Sequence, residues 1–187
     1  SPNEFNIWMN LLKKVPGSVL WLMESNKRAE NNLNKEAKKR GIKSNRIIFA
    51  KKLPYSDHLA RCKLGDLFLD TFNYNAHTTA SDALWAGMPL VTKIGESFTA
   101  RVAASILKAL DLSELVTKSD KEYEALIFEI ATSSEKLVKI KKKLSVNKFT
   151  KPLFNSEMFV KYLEDGYKQV YQNYLEGKKT KTIFINK

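Results

Sequence analysis

The chain has 187 residues, 43% hydrophobic and 11% aromatic, which suits one domain or one lobe with a real core and argues against disorder. Its single cysteine, Cys62, excludes an internal disulfide and a cysteine-built zinc cage, and no apolar run approaches the roughly 20 residues that span a bilayer. The net charge of +12 raises the question of a nucleic-acid surface, but the excess is mostly lysine on segments that also carry Glu, so solvated helix faces account for it better.

The opening PNEFNIWMNLLKKVPG places Phe5, Ile7, Trp8, Leu11 and Leu12 at helical spacing before Pro16-Gly17. The start lacks the basic-then-apolar plan of a signal peptide, which points to a cytoplasmic protein. SVLWLM reads as a strand covered on both faces, and a polar helix from about Lys27 to Arg40 ends at Gly41. RIIFAK is a second buried strand. A helix starting near Ser56, with Ser56 and Asp57 as capping candidates, carries His58 and Arg61. LFLDT is the third strand, HTTASDALWAG the next helix, PLVTKI the fourth strand, GESFTARVAASILKAL a helix and LVTK a short fifth strand. From there the period is helical through a long amphipathic run at about 157–175. The last residues, 177–187, form a tail in which KTKTIFINK either adds a strand or frays. The three tryptophans, Trp8, Trp21 and Trp85, fall on apolar faces and are expected in the core. Strands alternating with helices at this pitch predict an α/β fold with a parallel sheet and helices on both faces.

In such sheets ligands sit at the carboxyl ends of the strands. That rule selects AKKLPYSDHLAR, DTFNYNAHTTASD and TKIGESFTAR, and the first two contain both histidines of the chain. If a helix begins near His77 or Thr78, its free N–H groups, the Thr78 and Thr79 hydroxyls and the His77 ring make an anion site. Asp82, one turn on, is placed to accept from ribose hydroxyls. Helix capping by Thr78 or Thr79 is an equal rival. His58 and Arg61 share one helix face, where they either meet a base or decorate the surface. Gly95 permits close backbone approach, with Ser97 and Thr99 near the next helix start. Two histidines without a third ligand make no metal site, and neither a glycine-rich dinucleotide fingerprint nor a P-loop is present. Cys62 is expected to pack as a small hydrophobe.

DTFNYNAHTTASDALWAGMPLVT followed by GESFTARVAAS resembles the C-terminal catalytic lobe of the O-linked N-acetylglucosamine transferase family. The likeness runs from KKVPGSVLWL through NRIIFAKKLP, the H-x-x-R pair and EYE to KPLFN, about residues 5–175. It implies the Rossmann-like C-terminal lobe of a two-lobed GT-B glycosyltransferase, usually placed behind tetratricopeptide repeats, that moves GlcNAc from UDP-GlcNAc to protein Ser and Thr hydroxyls. Under it His77, Thr78 and Thr79 hold the UDP phosphates, Asp82 the ribose, His58 stacks on uracil and Arg61 reaches its polar edge, with no metal and no cofactor. Plant-type fucosyltransferase relatives carry an all-Thr run and a Glu where this chain has His77 and Asp82, so the chain sides with the UDP-GlcNAc branch.

Tyr55 stands where the family often has a lysine near the ribose, so the resemblance implies a lost contact there. It also implies that residues 1–187 are a single nucleotide-sugar-binding lobe. The first, central strand of the sheet, a phosphate-contacting lysine and the general base would then lie in parts of the enzyme outside this chain. The catalytic residues are accordingly left unassigned, and the chain by itself is expected to be inactive and to bind UDP weakly. The partners expected are a UDP-sugar, a protein acceptor, and the N-terminal lobe with its repeats, but neither membrane nor nucleic acid.

Overall fold

The computed structural model describes residues 1–185. The apolar runs LWLM and IIFA form β1 (Leu20–Met23) and β2 (Ile47–Ala50), paired in parallel with Leu20 opposite Ile47. A parallel pair needs a crossover, and α2 (Lys27–Lys39) supplies it. The Asn26 side chain caps α2 by accepting from the Ala29 N–H at 2.9 Å, and Gly41, at φ +77°, ends it. Three further strands, β3 (Phe68–Leu69), β4 (Leu90–Lys93) and β5 (Val116–Thr117), form a second parallel sheet in the order 3-4-5. Among the described residues the two sheets share no strand pairing, so the expected parallel α/β arrangement is present in two hydrogen-bonded pieces.

Among the described residues eight α-helices surround them: α1 (Pro2–Lys14), α2, α3 (Tyr55–Cys62), α4 (Thr78–Ala86), α5 (Val102–Ala109), α6 (Asp120–Thr132), α7 (Ser134–Thr150) and α8 (Ser156–Leu175). Leu90, Val91 and Thr92 of β4 are all buried, as in a strand covered on both faces, and β4 packs on α4, α5 and α6. One apolar cluster joins Leu90 and Val91 to Leu84, Leu107, Tyr123, Ile127 and Leu144; a second joins Leu20 and Ile47 to Ala37 and Ile42. α1 contributes to both, Ile7 and Leu11 to the first and Phe5, Met9 and Leu12 to the second, while Leu69 packs against each.

Several expectations are corrected. α3 begins at Tyr55, with Pro54 before it, because proline pre-sets the backbone for a helix start; Ser56 and Asp57 lie inside the helix and do not cap it. α5 begins only at Val102, since residues 97–101 form a turn closed by Gly95 N–H to Ala100 O at 2.8 Å. Gly95 is required there by Ala100, whose Cβ would lie 2.7 Å from a Cβ at Gly95. Of the tryptophans, Trp21 (38% exposed) and Trp85 (43%) are not core residues: Trp21 packs under the Arg61 guanidinium, and Trp85 lies among Lys148, Phe149 and Phe154. Residues 178–185 form no strand; Asn186 and Lys187, the end of KTKTIFINK, lie outside the described residues. The lysine-rich α7 behaves as a solvated face, with Lys141 pairing Asp66 and Lys143 pairing Glu114. Among the described residues no helix is long and apolar enough to cross a membrane.

Candidate functional site

The loop from β3 to α4 is organised by Asp70. Its Oδ1 accepts from the backbone N–H groups of Thr71 (2.9 Å) and Ala76 (2.7 Å), and its Oδ2 accepts from the Thr92 hydroxyl at 2.6 Å. These bonds stop the β3 ladder after two residues and fold 70–76 back on itself. Glu4 of α1 accepts from the Phe72 N–H at 3.0 Å, and the Tyr123 hydroxyl donates to the Asp70 carbonyl at 2.8 Å, so two helices brace the turn. Asp70 is fully buried, and burial pushes its carboxyl up to about 6 against the opposing pull of its hydrogen bonds. Sequence reasoning assigned Asp70 no part; its only signal was a carboxylate at the carboxyl end of a buried strand.

The loop delivers His77 to the position just before α4, and Thr78 and Thr79 are the first two residues of that helix. Neither threonine caps it: His77 precedes the first turn without a side-chain capping bond. Among the described residues the backbone N–H groups of His77, Thr78 and Thr79 have no hydrogen-bond partner, and neither do the two hydroxyls, which are exposed. Free first-turn N–H groups with aligned peptide dipoles give this end a partial positive charge. The His77 ring stacks on Tyr74 (centroids 4.7 Å apart, 16° between planes) and meets Phe98 edge-on at 6.3 Å. Its Nε2 is enclosed without a partner, which is costly for a buried polar atom.

Asp82, one turn into α4, is buried, and its Oδ1 accepts from the Tyr55 hydroxyl at 2.8 Å. That bond ties α4 to the start of α3, the helix that carries His58 and Arg61, and the two helices pack together. Arg61 is held on three sides. Its Nη1 donates to Lys51 O at 2.6 Å, its Nη2 lies 3.1 Å from His58 Nδ1, and its guanidinium lies over the Trp21 ring at 5.5 Å. A guanidinium only donates, so His58 Nδ1 is the acceptor and the ring proton sits on Nε2. Cys62 Sγ lies 3.8 Å from that Nε2, and burial pushes the thiol up, away from a nucleophilic role.

The structure thus places His58 and Arg61 on α3, Thr78, Thr79 and Asp82 on α4 and His77 just before α4, the two helices packed together and linked by Tyr55. Ser97 and Thr99 lie on the neighbouring turn, 3.2 Å from each other, with the Thr99 hydroxyl donating to Asn73 O at 3.1 Å. They therefore brace the loop more directly than they extend the helix end. Among the described residues no cluster of three or more metal-ligating side chains occurs.

A sequence model of glycosyl transferase family 41 matches residues 1–163. The chain is 34% identical over 176 residues to a UDP-N-acetylglucosamine–peptide N-acetylglucosaminyltransferase of Caenorhabditis elegans, covering 94% of this chain and 15% of that protein. It is 36% identical over 177 residues to the probable enzyme of that name, SEC, from Arabidopsis thaliana, covering 94% and 18%. A solved O-GlcNAc transferase mutant from Thermobaculum terrenum superposes with a TM-score of 0.85 at 26% identity, over 92% of this chain and 34% of that one. The chain spans less than a fifth of the length of these two curated relatives. With the family match running through β1 to β5 and across both site helices, the chain belongs to glycosyl transferase family 41.

Proposed function

We propose that this chain is the UDP-sugar-binding lobe of an enzyme that moves GlcNAc from UDP-GlcNAc to Ser and Thr hydroxyls of proteins. The observation that carries the reading is the set of unpartnered N–H groups at His77, Thr78 and Thr79, set beside Asp82 and, across the α3–α4 contact, His58 and Arg61. In the transfer, the acceptor oxygen bonds to the sugar C1 as the bond from C1 to the phosphate oxygen breaks. The diphosphate leaves with the electron pair, and the hydroxyl proton passes to a base. Negative charge grows on the diphosphate, where fixed N–H dipoles and hydroxyls need no reorganisation to meet it. His77, Thr78 and Thr79 would take that role, with a phosphate oxygen satisfying the enclosed His77 Nε2. Asp82 would accept from the ribose, His58 would stack on uracil and Arg61 would donate to its edge. The reading calls for no metal or resident cofactor, and it leaves the base to residues outside this chain.

The relatives' greater length supports a wider assembly, in which a second lobe closes over this rim and tetratricopeptide repeats present the protein acceptor. An added strand between the two sheet pieces would join them into one. A cytoplasmic setting fits the lone cysteine. In this assembly the lobe by itself binds UDP weakly and turns over no donor.

Titration with UDP, GDP and a short DNA duplex at two salt concentrations tests the reading. UDP-selective binding, weakened roughly tenfold or more by His77→Ala and by Asp82→Ala, is expected. Steeply salt-dependent DNA binding without a UDP response would overturn it in favour of a basic interaction surface. Preferred binding of GDP would point instead to a related transferase with another donor.

A further inference from the structure

Asp70 is a buried carboxylate without a cation. Among the described residues its side-chain partners are neutral donors, the N–H groups of Thr71 and Ala76 and the Thr92 hydroxyl, and it forms no salt bridge. The other acids near it are compensated. Glu4 of α1, equally buried, pairs with the Ser1 amino group at 2.9 Å. Asp120 of α6 pairs with Lys93 of β4, whose Nζ lies 3.9 Å from the Phe72 ring centroid. Burial pushes the Tyr123 phenol of α6 up, so it meets the Asp70 carbonyl as a neutral donor. Among charged side chains, His77 at the end of the loop pulls the Asp70 carboxyl toward its ionised form. This uncompensated charge adjoins the end of α4 that the site reading gives to a diphosphate: Ala76, whose N–H it binds, is followed directly by His77. A second negative charge brought to that end disfavours ionisation of the buried one. The hydrogen bonds leave room for a proton. On Oδ2 it reverses the bond to Thr92, since a hydroxyl accepts as well as donates, while Oδ1 keeps both N–H groups. The loop then holds its shape without the charge. Burial has already pushed this carboxyl up to about 6, so a further rise acts near neutral pH.

We propose that Asp70 is a proton-linked positioning residue: as a diphosphate seats at His77, Thr78 and Thr79, Asp70 Oδ2 takes one proton from solvent, and it returns that proton when the diphosphate leaves. The inference rests on the reading that this end of α4 takes the diphosphate. Asp70 acts through its charge and its loop, not by contact with the ligand. Well above pH 6 it is ionised in the free and the bound protein, and its charge weakens binding; at low pH it is neutral in both, and the penalty is gone. Binding through this group therefore tightens as pH falls through the neutral range. In the transfer step the charge growing on the diphosphate would meet a neutral acid behind the loop in place of a carboxylate.

NMR titrations of UDP into the full chain and its Asp70→Asn variant, from about pH 5 to about pH 8, test this. Asn offers the loop the same acceptor and Thr92 a donor, and it cannot ionise, so it stands for the protonated acid. The terminal phosphate of UDP and His77 titrate in both proteins, so the ratio of the two affinities isolates Asp70. At about pH 8 the variant should bind UDP about three- to tenfold more tightly than wild type, and the gap should close by about pH 5. Carbon-detected titration of the Asp70 carboxyl in wild type reads the same linkage without a substitution, and it decides alone if the variant does not fold. Saturating UDP should raise the midpoint by about 0.5–1 in pH, the same factor. An affinity ratio that stays constant across pH makes Asp70 a structural brace and overturns the inference, as does a carboxyl midpoint that UDP leaves unmoved or lowers. If UDP binds and His77→Ala weakens it while both readouts stay flat, this inference alone fails. If wild type gives no response to UDP at any pH, the underlying site reading fails with it.

Discussion

Asp70 shows how a single buried carboxylate sets the shape of the site. It accepts from two backbone N–H groups and one hydroxyl, and those bonds bend the chain from strand toward α4. Removing the acceptor strands both N–H groups, so Asp70→Ala should cost about 2–4 kcal/mol of stability in urea denaturation. The isosteric Asp70→Asn keeps an acceptor for the backbone and can donate to Thr92, so it should cost less. The two also differ in pH response. The folded-state value of about 6 lies above the ordinary 3.8, so the folded protein holds the extra proton between those limits. Stability from this group is therefore full below about pH 4 and is lost as pH rises to about 6, by on the order of 3 kcal/mol, with no further loss above. Subtracting Asp70→Asn from wild type at pH 4.5 and pH 7 isolates this decline, which the variant lacks. None of this was legible in DTF, because the donors at Ala76 and Thr92 meet the carboxylate only after the chain has folded back.

At the scale of elements, local signals did most of the work. α2 carries its Asn26 cap and its closing Gly41, and α4 ends at Gly87, as the residue types required. Gly87 adopts φ +93°, and the N–H groups of Gly87 and Met88 close the helix on Leu84 and Ala83. A Cβ there meets no atom within 4 Å, so Gly87→Ala would cost only the left-handed backbone strain, about 1 kcal/mol in thermal or urea unfolding. The substitution lies at the far end of α4 from Thr78 and should leave UDP affinity unchanged. Helix starts were less legible. Ser56, Asp57, Thr78 and Thr79 all look like caps, yet none caps, because Pro54 and the Asp70-braced loop set where α3 and α4 begin. A capping residue type competes locally; the winner is decided by how the preceding loop enters.

For the whole molecule, the consequential feature is the division into two sheets. The β3–β5 piece is enclosed by α4, α5, α6 and α7 and holds the larger apolar cluster; the β1–β2 piece rests on α1 and α2 and holds the smaller. Buried apolar area sets the opening free energy. Native-state hydrogen exchange should thus find Trp21 and Ile48 amides opening at lower free energy than those of Leu90 and Val91. Equal protection across both sheets would show a single cooperative unit. α1 spans the two clusters, so Met9→Ala should destabilise the β1–β2 piece first, by about 2–4 kcal/mol. α8 buries none of its residues fully and leaves Phe159, Val160, Tyr167 and Tyr171 exposed.

The sequence by itself determined the order of strands and helices, the parallel pairing and the strand-end position of the candidate residues. Hydrophobic period and glycine stops act over a few neighbours and can be read along the chain. Only the tertiary structure decided that Tyr55 reaches Asp82 across 27 residues, that Asp70 ties its loop to β4, and that Trp21 lies under Arg61 and outside the core. Those contacts join side chains from different elements, and their geometry exists only once the helices have packed.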